Sequence, residues 1–200
     1  MTQIDDNSWK INLFTLGNSA VGKTSFILRF TKNSFNHNYL ATIGIDFLVK
    51  NLKLPTGEHV KICFYDTAGQ EQYKSISFNL IKGADGILLM YDITDKKSFE
   101  SISNWIESIK EVKGDDFPIV LIGNKSDLIE QRVIKTEEGQ KEADNNGFLF
   151  FETSSKDSIN VEESVDAIVK KIIGKTNKQK ENNIKLQKKK VEEKKTQCNC

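Results

Sequence analysis

Gly17-Asn18-Ser19-Ala20-Val21-Gly22-Lys23-Thr24 satisfies the pattern G-x-x-x-x-G-K-[ST], directly after an apolar segment and before a helical one. The glycines let the backbone curl so that successive N–H groups point inward at an anion. Lys23 supplies neutralising charge, and Thr24 offers a hydroxyl to Mg²⁺. The spacing describes a phosphate cage built mostly of backbone. A bare glycine-rich turn is the bland alternative, and the strand-loop-helix context argues against it.

Asp66-Thr67-Ala68-Gly69-Gln70-Glu71 follows the hydrophobic run ending at Tyr65. That places Asp66 at the carboxyl end of a strand, where open α/β sheets bind ligands. Asp66 is the candidate for holding Mg²⁺ through water. Gly69 lets the backbone approach a terminal phosphate, and Gln70 is placed to orient an attacking water. Thr42, in Ala41-Thr42-Ile43-Gly44, says little alone, because Thr beside Gly is common in loops. With the phosphate loop it becomes a candidate second hydroxyl ligand to Mg²⁺, made only when a terminal phosphate orders the segment.

Asn124-Lys125-Ser126-Asp127 stands at the end of a further apolar run, Ile119 to Gly123. An aspartate there can accept from both the ring N–H and the exocyclic amine of guanine, a pair that adenine does not offer. Such a site rejects the wrong base because the carboxylate would be left unpaired. Thr153-Ser154-Ser155-Lys156 follows the last apolar run and could close over the base through backbone N–H groups and the lysine stem. Each tetrapeptide alone reads as ordinary solvated loop; their order in the chain gives them meaning.

The elements that must position these residues are legible as apolar runs. Six strands are expected at Trp9 to Leu16, Asp46 to Leu54, Val60 to Tyr65, Gly86 to Tyr91, Ile119 to Ile122 and Phe148 to Phe151. Helical patterns lie between the later ones. Phe99, Ile102, Trp105, Ile106 and Ile109 share one helix face, and alternation of strand and helix implies a mostly parallel sheet. Pro55-Thr56-Gly57-Glu58 suits a hairpin turn, so the second and third strands should be antiparallel. The fold class is therefore α/β: a six-stranded, mostly parallel sheet with one antiparallel edge strand and helices on both faces. A last helix is expected from about Val161 to Ile173.

With 200 residues, 38% hydrophobic and 28% charged, the chain fits one globular domain. The longest apolar runs, Ile87 to Tyr91 and Pro118 to Ile122, fall far short of the roughly 20 residues needed to cross a bilayer. Asp5 and Asp6 do not suit a signal peptide, and Thr2 cannot be myristoylated. Cys63 reads as a small core residue, and the three cysteines form no disulfide framework or CxxC metal pattern, which fits a reducing compartment. His37 and His59 are isolated. The net charge of +1 hides an asymmetry: Gly174 to Cys200 holds nine Lys and three Glu, a net of +6, which leaves residues 1–173 at −5.

The five segments, in this order and at these spacings, resemble the Ras superfamily of small GTPases, whose P-loop NTPase fold would cover about residues 8–174. Residues 1–7 would be an N-terminal extension. Ile43-Gly44-Ile45-Asp46-Phe47, Leu89-Met90-Tyr91-Asp92-Ile93-Thr94 and the terminal Cys198-Asn199-Cys200 look like the Rab branch. The resemblance implies a GTP/GDP switch with slow hydrolysis that regulates vesicle traffic. Its nucleotide contacts would be Ser19, Ala20, Val21, Gly22, Lys23, Thr24, Ser25, Thr42, Gly69, Asn124, Lys125 and Asp127. Phe35 would stack beside the guanine, and Ser154, Ser155 and Lys156 would contact it. Mg²⁺ would be held at Thr24, Thr42 and Asp66, with Gln70 as the catalytic residue. An exchange factor, a GTPase-activating protein, a GDP-dissociation inhibitor and effectors are implied as partners. A GTP-holding scaffold without turnover and a Ras- or Rho-type signalling role are the competing readings.

Several positions depart from the Rab pattern. Tyr65 stands where tryptophan is usual; Glu71, Gln72 and Tyr73 replace Glu-Arg-Phe; Leu80-Ile81-Lys82-Gly83-Ala84 replaces Tyr-Tyr-Arg-Gly-Ala; and Ser155 replaces alanine. Tyr65 and Leu80 would join Phe47 in the aromatic patch that presents nucleotide state, so effector identity does not transfer.

Residues 175–200 are too poor in large apolar side chains to build a core, and a disordered tail is expected. Such a lysine-rich tail suits nucleic acid, an anionic bilayer or a soluble spacer. The terminal cysteines favour the bilayer. Two geranylgeranyl groups on Cys198 and Cys200 beside a polybasic stretch would anchor the protein to the cytoplasmic face of an intracellular membrane, from which it cycles with the cytosol. Nucleic acid is disfavoured because the tail lacks aromatic stacking residues.

Overall fold

The structure, a computed structural model, describes residues 2–5, 8–36, 45–67 and 81–197. The strands are β1 (Thr2–Asp5), β2 (Ser8–Leu16), β3 (Ile45–Lys53), β4 (His59–Thr67), β5 (Gly86–Asp92), β6 (Ile119–Asn124) and β7 (Leu149–Thr153). The main sheet runs β3-β4-β2-β5-β6-β7. Every neighbour pair in it is parallel except β3 with β4, which are antiparallel with Phe47 opposite Tyr65. Leu54 N–H donates to Glu58 O and Gly57 N–H to Leu54 O, closing the expected turn between them.

The six expected strands are all present, each within two residues of its reading. β1 is an addition, since Thr2-Gln3-Ile4-Asp5 holds one apolar residue and no alternation. It pairs antiparallel with β2 from Thr2 opposite Lys10 to Asp5 opposite Ser8. On that side of β2, β5 begins only at Leu13, so the backbone groups of Ser8 to Lys10 would otherwise meet no strand.

The helices are α1 (Lys23–Lys32), α2 (Lys96–Glu100), α3 (Ile102–Lys113), α4 (Thr136–Asn146) and α5 (Val161–Gln197). The strands β5 and β6 are buried throughout, which explains their unbroken apolar runs: alternate residues face opposite layers. Leu88, Met90, Val120 and Ile122 pack under α1 and α5 with Phe26, Ile27, Val165 and Ile168. Ile87, Leu89, Tyr91, Ile119 and Leu121 pack under α3 and α4 with Ile102, Ile106, Ile109 and Ala143. The apolar stripe from Phe99 to Ile109 is carried by two successive helices, α2 and α3, rather than one. Asp95 caps α2 by accepting from Lys97 N–H at 3.0 Å.

The largest departure is at the C-terminus. The expected helix end at Ile173 and the structureless tail are replaced by one helix through Gln197. Gly174 lies inside it, and the following Lys, Gln and Glu residues are strong helix formers uninterrupted by proline. Poverty in apolar residues removes a reason to pack, not the capacity to form i→i−4 hydrogen bonds. Among the described residues, no helix is long and apolar enough to cross a membrane.

Candidate functional site

The chemistry-bearing residues gather at the carboxyl ends of β2, β4, β5, β6 and β7, the edge at which a doubly wound sheet binds ligands. The phosphate loop begins with Gly17 at φ +135°. A Cβ there would lie 2.1 Å from the Met90 carbonyl oxygen of β5, so only glycine fits. Ala20 (φ 64°) and Gly22 (φ 98°) are also left-handed, which turns the loop in on itself before α1 starts at Lys23. Ser19 and Ala20 form the exposed rim, Val21 and Lys23 are buried, and Ser25 is half-buried in the first turn of α1.

The Lys23 ammonium donates to Gly17 O at 2.9 Å and Asn18 O at 2.8 Å, which fixes it across the mouth of the loop. Thr24 Oγ1 donates to Asp66 Oδ2 at 2.6 Å. Asp66 is buried at the end of β4, and its other oxygen accepts from Thr15 Oγ1 at 3.4 Å. Burial pushes the Asp66 carboxyl above its ordinary value of 3.8, and Asp46 alongside pushes the same way. The Thr24 hydrogen bond, the Lys23 charge and Thr15 oppose the rise. A buried carboxylate touching a hydroxyl beside a lysine is a pair of hard oxygen donors that fits Mg²⁺, which typically takes one or two protein ligands and completes its shell with phosphate and water oxygens.

The base side is a network of side chains. Asn124 is buried at the end of β6. Its Nδ2 donates to Val21 O at 2.8 Å, and its Oδ1 accepts from Thr153 Oγ1 at 3.0 Å and Ser155 Oγ at 3.3 Å. One amide therefore ties the phosphate loop to the 153–155 segment. Lys125 adopts φ 66°, and its ammonium pairs with Asp92 Oδ2 at 2.5 Å. The other Asp92 oxygen accepts from Thr94 N–H and Oγ1. Asp127 Oδ1 accepts from Ser154 Oγ at 2.7 Å, while its Oδ2 faces the Lys156 ammonium at 3.9 Å. The carboxylate is thus oriented from one side and keeps acceptor capacity on the other. Ser126 N–H donates to Thr153 O, joining the two tetrapeptides through their backbones as well.

Sequence reading misses three contributors. Asp92 sits opposite Asn124 in the β5–β6 register, and its signal is a charged residue ending a buried strand. Asn18 is held by Ser101 Oγ at 3.0 Å and by Trp105 Nε1 at 3.2 Å, from residues more than eighty positions away. Arg29 of α1 donates from Nε to Ser155 O and from Nη2 to Lys156 O, and nothing in the helix pattern marks it. Phe35 is half-buried. Thr42, Gly69, Gln70, Leu80, Cys198 and Cys200 lie outside the described residues. Of the expected aromatic patch, Tyr65 stacks on Phe14 at 4.2 Å and leans on Phe47 at 5.2 Å, with Phe47 half-exposed. Ser155, in place of alanine, adds a buried hydroxyl to the Asn124 network.

The sequence model of the Ras family matches residues 12–174. The chain is 44% identical over 162 residues to Ras-related protein Rab-8B of Dictyostelium discoideum, covering 81% of this chain and 79% of that protein. It is 43% identical over 173 residues to Ras-related protein Rab-13 of Mesocricetus auratus, covering 86% and 84%. Ras-related protein Rab-3C of Bos taurus is 43% identical over 161 residues, covering 80% and 70%. Identity at that level over four-fifths or more of the chain, together with the Ras-family match over residues 12–174, makes this chain a member of the Rab family of small GTPases, enzymes that bind GTP and hydrolyse it.

Proposed function

We propose that the protein is a membrane-tethered GTP/GDP switch in vesicle traffic, with slow intrinsic hydrolysis as its clock. The observation that carries this reading is the Thr24–Asp66 contact beside the Lys23-braced phosphate loop. It joins a loop that can cradle phosphates to a strand end that can sense a cation bound to them. Asp127, oriented by Ser154, accepts from the two guanine donors, and Asn124 keeps that wall in register with the phosphate loop. Lys23 exchanges its carbonyl partners for phosphate oxygens. Thr24, Thr42 and Asp66 are the residues that would hold Mg²⁺, which when bound neutralises charge on the β- and γ-phosphates. Gln70 orients the attacking water, and Gly69 lets its own backbone approach the γ-phosphate. Phe35 stacks on the base, and Ser155 and Lys156 close over it.

The tail supplies attachment. Prenyl groups on Cys198 and Cys200, together with the net +6 of residues 174–200, form the two-signal arrangement that stable anchoring requires. Each lysine near an anionic leaflet contributes up to about 1 kcal/mol before screening. An exchange factor, an activating protein, a dissociation inhibitor and effectors follow as partners of a switch whose own turnover is on the order of 10⁻⁴ to 10⁻³ per second.

The test is titration of nucleotide-stripped protein in Mg²⁺ with fluorescent GDP, GTP and ATP, followed by single-turnover phosphate release. Guanine-only binding with slow release is expected, and Gln70→Leu should lower the release rate at least about tenfold. Comparable ATP binding would remove the Asp127 assignment. Tight GTP binding without release would favour a non-hydrolysing scaffold.

A further inference from the structure

We propose that Arg29 is a positioning residue that clamps the two walls of the guanine pocket together and thereby sets how long the nucleotide is retained; this rests on the guanine-binding reading above. Arg29 lies in the second turn of α1, the helix that begins inside the phosphate loop. Its guanidinium serves two segments at once. Towards the 153–156 side, Nε donates to Ser155 O at 2.7 Å and Nη2 to Lys156 O at 2.9 Å. Towards the end of its own helix, Nη1 donates to Asn33 Oδ1 at 2.9 Å and to Asn33 O at 3.2 Å.

Asn33 is the C-cap of α1, left-handed at φ 49° and ψ 39°, with its N–H returned to Arg29 O. It opens the stretch that leads within two residues to Phe35. Arg29 and Ser155 are 126 residues apart in sequence, so one planar cation joins two walls that are distant along the chain. Arginine is suited to this by its fixed fork of five donors. Lysine, a point charge with three donors on a flexible stem, lacks that fixed fork and so cannot hold both carbonyls and the Asn33 side chain in one rigid geometry. The clamp touches neither Lys23, Thr24 nor Asp66, so it acts on retention of the base and leaves hydrolysis of bound GTP alone.

The measurement is the dissociation rate of fluorescent GDP, taken alongside single-turnover hydrolysis of bound GTP, on the full chain. Arg29→Ala should speed GDP dissociation about tenfold or more, with the hydrolysis rate within about twofold of the original protein. Arg29→Lys should recover less than half of the lost retention. Asn33→Gly keeps the left-handed cap and its carbonyl but removes Oδ1; it should speed dissociation about threefold alone and have little further effect in the Arg29→Ala background. Unchanged dissociation in folded Arg29→Ala, full rescue by lysine, or a parallel fall in hydrolysis would overturn the clamp. If Arg29→Ala fails to fold, unchanged dissociation in both Arg29→Lys and Asn33→Gly does the same. An original chain that does not hold fluorescent GDP would overturn the guanine reading itself, a result distinguishable from a chain that holds it equally well with and without Arg29.

Discussion

The two ends of the cleft are built on opposite plans. The phosphate end is one continuous octapeptide, and its shape depends on the absence of side chains at Gly17 and Gly22. The base end is made of side chains from four separate stretches, Arg29 to Asn33, Asp92 to Thr94, Asn124 to Asp127 and Thr153 to Lys156, each orienting another. A backbone cage fails sterically and all at once. A side-chain network fails by degrees, one hydrogen bond at a time. Asn124 and Trp105 are where the two plans meet, because each reaches from the helix-and-strand scaffold into the phosphate loop.

Three substitutions sharpen that contrast. The largest effect is expected from Gly17→Ala. Its Cβ meets the Met90 carbonyl of a buried central strand, and the residue is held at φ +135°, so stability should fall by more than about 3 kcal/mol in denaturant unfolding and GDP binding should be lost. Full GDP affinity in this variant would show that the loop does not need its glycine geometry. Next comes Asn124→Ala, which leaves Val21 O and two hydroxyls without their partner in a buried setting. A loss of about 2–3 kcal/mol is expected, and GDP affinity should drop at least about tenfold. If calorimetry shows guanine binding intact, the two ends do not communicate through this amide. The smallest effect belongs to Trp105→Phe, which keeps the apolar packing and removes one donor to Asn18; about 1 kcal/mol and a few-fold faster GDP exchange are expected from stopped-flow fluorescence.

The same contrast explains which parts of the molecule are legible in the sequence. The phosphate loop can be read because its parts are contiguous and each residue type has one reason to be there. The strands can be read because β5 and β6 are buried on both faces and so are apolar without interruption. β1 cannot, because its four residues carry no alternation and it exists only where β5 leaves the edge of β2 open. The length of the C-terminal helix escapes the pattern because apolar periodicity reports packing, whereas a lysine-rich helix can form on propensity without an apolar stripe.

By itself, then, the sequence determined the α/β alternation, the antiparallel hairpin, the glycine-dependent loop from Gly17 to Thr24, and the aspartates at the ends of β4 and beyond β6. These are short-range consequences of glycine freedom, of period-two and period-3.6 burial, and of which atoms a side chain can donate or accept. Only the tertiary structure decided that Asn124 holds both ends of the cleft, that Trp105 and Ser101 grip Asn18, and that Arg29 fastens the base-side loop to the end of α1. Those bonds join residues from 83 to 126 positions apart. Arginine, tryptophan and asparagine on a helix or loop have many ways to be satisfied, by water or by any nearby carbonyl. Which partner each one takes is settled only when the sheet and its helices bring those particular groups within reach.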